Sequence, residues 1–178
     1  MQTDKLSLAD TLAALNTCAN EPEVLNSERI AKRFGNFGID LVSFEDGVRT
    51  SNLYSLEGGV RICRTCAVVR FQEQGAQQVA EAHADILAGE SIGARFRAGG
   101  WQIRKQTIGI ACTTVDAEND PVGRLMCLRG DIDLAVHEYR FVLERDLHAI
   151  EYAHIVETHH PDYLSYAELL DLYGGDIP

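Results

Sequence analysis

From Ile39 to Phe71 the sequence leaves helical spacing for a repeat of two, and Glu45-Asp46-Gly47 and Glu57-Gly58-Gly59 cut that run into three pieces. Strands joined by turns this short must fold back antiparallel, because a parallel return needs a crossover of about a dozen residues or more. Residues 39–44, 48–55 and 60–71 are therefore read as a three-stranded meander. The second half repeats the pattern at 101–115, 122–128, 132–144 and 149–158. Its turns, at 117–121, 129–131 and 145–148, carry residues that tolerate turn geometry. About seven antiparallel strands result.

Helical spacing occupies the remainder. Ser7-Leu8-Ala9-Asp10 can cap a helix whose packed face is Leu8, Leu12 and Leu15. A second spans 26–34, with Ile30 and Phe34 one turn apart and Gly35 as its left-handed stop. A third is expected over 76–87, then a glycine-rich connector over 89–100. Ser165-Tyr166-Ala167-Glu168 fits a capping box that opens a last short helix, stopped at Gly174-Gly175. Hairpin-joined strands beside helices predict a single α+β domain over 1–178, an antiparallel sheet of about six to seven strands with helices packed on one side.

With 178 residues the chain can bury one core. Sixteen Lys and Arg against 27 Asp and Glu leave 16 − 27 = −11, which repels a phosphate backbone and argues against nucleic acid as a partner. No apolar run reaches the roughly 20 residues of a membrane span, and Met1 to Lys5 does not look like a signal peptide, so a cytoplasmic protein without a membrane partner is expected. Cys18, Cys63, Cys66, Cys112 and Cys127 are odd in number and scattered, as expected of reduced thiols.

Few patterns carry chemistry. Cys63-Arg64-Thr65-Cys66 has redox spacing, but positions i and i+3 of a regular strand point to opposite faces, so buried thiols are expected. His154, His159, His160 and Asp162 match no standard ligand spacing, and no metal or cofactor is expected. Neither a P-loop nor G-x-G-x-x-G is present. More telling are Arg49, Arg64 and Arg104, on strands that read as half buried. An inward guanidinium must meet a carboxylate, from the protein or from a ligand. Glu157, in alternation with Ala153 and Ile155, is an acid among apolar neighbours; its pKa is expected to be raised, which suits proton exchange near neutrality. The other reading places each arginine on a solvated face and pairs Glu157 with one of them.

Several segments, in their shared order, resemble the chorismate lyase-like superfamily, which includes chorismate lyase and the UTRA effector-sensing domains. Ile30-Ala31-Lys32-Arg33-Phe34 is similar to the family's early helix, Ile30 standing where a pocket methionine would be. Arg49 and Arg64 resemble the two arginines that flank the lyase hairpin. Ser91-Ile92-Gly93-Ala94-Arg95-Phe96 is similar to a pocket-lining segment, with Ile92 in the place of a leucine. Val156-Glu157-Thr158-His159-His160-Pro161 resembles the lyase ending, its catalytic glutamate four residues before a proline. The resemblance implies a cofactor-independent elimination on a small anionic metabolite of the enolpyruvyl ether type. Arg49 and Arg64 would clamp carboxylates, Glu157 would be the general acid, and Ile30 and Ile92 would exclude water. The alternative it carries is a UTRA-like module that binds a small metabolite without changing it.

Overall fold

The protein is described from a computed structural model over residues 23–176; the helix expected at Ser7 lies outside the described residues. Element order is α1 (Asn26–Phe34), β1 (Gly38–Glu45), β2 (Val48–Glu57), β3 (Val60–Phe71), α2 (Glu73–Gln78), α3 (Ala80–Leu87), α4 (Ile92–Ala98), β4 (Gln102–Asp116), α5 (Pro121–Leu125), β5 (Asp131–Arg145), β6 (His148–His159) and α6 (Tyr166–Tyr173). The fold is α+β. Its six strands form one antiparallel sheet in the order β1-β2-β3-β6-β5-β4, two three-stranded meanders joined along β3 and β6.

Local chemistry sets the element ends. Gly35 ends α1 at φ +78, its N–H donating to the Ala31 carbonyl at 2.8 Å. Ser165 opens α6 with a capping box: its hydroxyl accepts from the Glu168 N–H, while Glu168 accepts from the Ser165 N–H at 2.7 Å.

The expected strand over 122–128 is instead the helix α5. Asp120 Oδ1 accepts from the Val122 and Gly123 N–H groups at 2.8 and 3.0 Å, and Pro121 occupies the first helical position, where its missing donor costs nothing. The helix expected over 76–87 divides at Val79, whose φ of −127 is not helical, into α2 and α3. The expected connector over 89–100 contains α4.

Two apolar clusters share one sheet face. The first joins Val79, Ile86 and Phe96 of the α2–α4 region to Val69, Phe141 and Tyr152; the second joins Ile30 of α1 and Leu169 of α6 to Leu53, Ala67 and Ala135. On the opposite face α5 and its neighbours cover Cys63, Cys66 and Leu134, so the helices are not confined to one side. Single extra residues interrupt four strands: Val42 in β1, Arg64 in β3, Ile108 in β4 and Tyr152 in β6.

Candidate functional site

Between the two clusters lies a cavity of about 70 Å³ that opens to solvent, floored by β2, β3, β5 and β6 and covered by the starts of α1 and α4. Leu25, Leu53, Val69, Phe141 and Ile155 give it mainly apolar walls, while Arg49, Ser51, Lys105 and Glu157 bring polar groups.

Alternation in β2 turns Arg49, Ser51, Leu53 and Ser55 inward together. Arg49 is 1% exposed. Its Nε donates to Ser51 Oγ at 2.9 Å, and its Nη1 donates to the carbonyls of Ile86 and Glu90 at 2.9 and 3.0 Å. Nη2 has no partner among the described residues, and none of the ion pairs among them includes Arg49. A buried guanidinium held only by neutral acceptors is an open demand for an anion.

Arg64 is equally buried but spent within the protein. It stacks on the Phe34 ring at 3.9 Å, donates through Nε to Ser55 Oγ at 2.9 Å and pairs with Glu57. Simple alternation would put it beside Cys66 and Val68. The extra residue in β3, with Cys63 opposite Tyr54 and Thr65 opposite Leu53, turns it to the helix-covered face. It does not line the cavity. The same bulge brings Cys63 and Cys66 into one cluster, against the opposite-faces expectation. Burial raises both thiols, Cys66 to about 11, so neither is a ready thiolate.

Glu157 reaches the cavity from β6. Its Oε2 is 3.7 Å from Lys105 Nζ and 4.0 Å from His159 Nε2, and Oε1 accepts from Asn26 Nδ2 at 3.3 Å. Burial pushes this carboxyl up, but Lys105, His159, His137 and the Asn26 amide outweigh it and hold the pKa below the ordinary value. The raised pKa expected from apolar neighbours does not occur, because a buried cation stands opposite. Lys105 mirrors this: burial alone would lower its pKa, and Glu157 leads the groups that raise it instead. Its ammonium also faces the Tyr139 ring at 4.8 Å.

Sequence reasoning misses Lys105 and selects its neighbour. Arg104 points outward and pairs with Glu144, whereas Lys105 shares the inward parity of Ile103 and Thr107. That parity is the available signal. Ile92 lines the cavity at the start of α4; Ile30 is fully buried in the α1–α6 cluster and does not. The cover is tight, since a Cβ on Gly93 would come within 2.7 Å of the Leu25 side chain.

Two histidines flank the pair without lining the cavity. His137 stacks on Tyr173 with centroids 4.3 Å apart and meets Thr107 Oγ1 at 3.1 Å; His159 Nδ1 meets Thr65 Oγ1 at 2.9 Å. Burial lowers both to a pKa of about 4, so both are neutral at pH 7.

No protein-family model and no curated protein sequence matches the chain. What the site can do rests on its own geometry: one unpaired cation to hold an anion, and an ion pair able to give a proton and to take one.

Proposed function

We propose that the chain receives a small organic acid in this cavity and acts on it as a cofactor-independent carbon–oxygen lyase of the chorismate lyase type. The observation that carries the reading is Arg49, buried on the cavity wall with its Nη2 unpartnered among the described residues. A ligand carboxylate there satisfies a group that otherwise costs the fold energy.

The Lys105–Glu157 pair supports the reaction and recasts its roles. Both groups are charged, so Glu157 is the base and Lys105 the acid. In an elimination from an enolpyruvyl ether, Glu157 takes a proton from the carbon next to the ether carbon. The freed C–H pair becomes the new double bond, the C–O bond breaks toward oxygen, and Lys105 protonates the departing enolate oxygen. A proton return across the 3.7 Å between the two groups restores the starting state. The apolar cover excludes water from the bond being cleaved.

A second reading, a binding module that leaves its ligand unchanged, is favoured by that same pair, which is already satisfied within the protein. Incubation with enolpyruvyl ethers carrying one carboxylate and, beside them, the dicarboxylate chorismate, followed by mass detection of pyruvate, separates them. Pyruvate release that Glu157→Gln abolishes while carboxylate binding persists supports the lyase. Binding without pyruvate leaves the sensor, and an unchanged rate in the variant removes Glu157 from the chemistry.

A further inference from the structure

We propose that the cavity selects organic acids carrying a single negative charge, and that Glu157 is the residue that sets this count. The inference rests on the reading of the cavity as a carboxylate site and narrows its substrate class: in an enolpyruvyl ether, the part beyond the pyruvyl carboxylate would be uncharged.

The argument is one of charge. Among the described residues the cavity wall carries two cations, Arg49 and Lys105, and one anion, Glu157. Glu157 lies 3.7 Å from Lys105 and neutralises it, which leaves the guanidinium of Arg49 as the net charge. His137 and His159 stay neutral and add nothing at pH 7. Arg29 and Glu23, the next charges outward, act on Lys105 with opposite signs and meet through Tyr173: Arg29 Nη1 donates to its hydroxyl at 3.3 Å, and that hydroxyl donates to Glu23 at 3.4 Å. Arg64 is held by Glu57 outside the cavity.

The first carboxylate to enter therefore meets Arg49. A second has only Lys105 to turn to, and there it must share the ammonium with Glu157, carboxylate against carboxylate in a space walled by Leu53, Val69, Phe141 and Ile155. Like charges brought together away from water repel strongly, and a buried charge without a partner is costly. Removing the charge of Glu157 frees Lys105 and changes the count from one to two.

Calorimetric titration of the full chain at pH 7 tests this with benzoate, 3-carbamoylbenzoate and isophthalate. The last two share a shape and differ by one charge. Benzoate and 3-carbamoylbenzoate are expected to bind, and isophthalate to bind at least about tenfold more weakly. Glu157→Gln should remove or invert that difference, and Arg49→Gln should weaken all three; circular dichroism shows that each variant is folded. Isophthalate binding as tightly as 3-carbamoylbenzoate, or a preference unchanged in Glu157→Gln, overturns charge selection but leaves the carboxylate site standing. Benzoate binding while both larger acids fail alike shows that size, not charge, decides, which also overturns it. Failure of all three on the unaltered chain overturns the carboxylate site itself.

Discussion

Glu157 can be found from sequence because it is a charged residue whose parity matches the apolar Ala153 and Ile155, and Arg49 because it begins a strand that reads as half buried; both reach the cavity. Arg64 shows where that reasoning fails. A single inserted residue reverses parity, and nothing in Cys63-Arg64-Thr65-Cys66 announces a bulge whose cause is the register against β2. The protonation of Glu157 is illegible for a related reason: it depends on Lys105, 52 positions earlier in the chain. Removing that lysine gives a direct check. Lys105→Met leaves Glu157 buried without its main counter-charge, so its pKa should rise above the ordinary carboxylate value. The fold should lose about 3–5 kcal/mol, as when one partner of a buried pair is removed. Carbon-detected NMR titration of the Glu157 carboxyl and urea denaturation measure the two effects; a carboxyl still held low in the variant would show that the lysine does not control it.

Among the elements, α1, α6 and the hairpin strands can be read because their signals are local: a capping box, a C-terminal glycine, a glycine turn. The break at Val79 and α4 escape that reading, and so does α5, where Val122, Leu125 and Leu128 look like strand residues once Asp120-Pro121 is taken only as a turn. The Asp cap and first-position Pro win because together they supply two backbone bonds and a preset φ. This short helix has a specific duty. Gly123 lets it lie against the backbone of Ala117, where an added Cβ would come within 2.5 Å of the Ala117 Cα, and α5 with its flanking residues in turn covers Cys63 and Cys66. Gly123→Ala should lift α5, lower stability by about 1–3 kcal/mol and speed the reaction of Cys63 and Cys66 with a thiol reagent. Cys112, already exposed on β4, should react at an unchanged rate and serve as the internal reference. Mass mapping of labelled cysteines reads the result.

For the whole molecule, buried histidines set the acid limit. His137 and His159 titrate near 6.5 when unfolded and near 4 when folded, so between those values the unfolded chain binds more protons. Their contribution is fully present above about pH 6.5 and is lost as pH falls toward 4, roughly 3 kcal/mol for each. Glu157, held below 4.5, extends the loss to lower pH in the same direction. Urea midpoints should therefore drop steeply between pH 7 and pH 4.5, and the double variant His137→Gln/His159→Gln should flatten that slope. An equally steep slope in the double variant would assign the acid limit to other groups. No helix among the described residues is long and apolar enough to cross a membrane. Among the described residues, however, the sheet ends in two strands with no outer partner, β1 and β4, each with apolar side chains toward solvent: Leu41, Val42 and Phe44 on one, Ile108 on the other. An open strand is a template for fibre growth, and the extra residues Val42 and Ile108 fall on these two borders. Each kinks its strand and breaks the row of free amides and carbonyls that an incoming strand would need. Deleting Val42 or Ile108 would restore an unbroken ladder at the rim, and such a variant is expected to form fibres more readily than the unaltered chain.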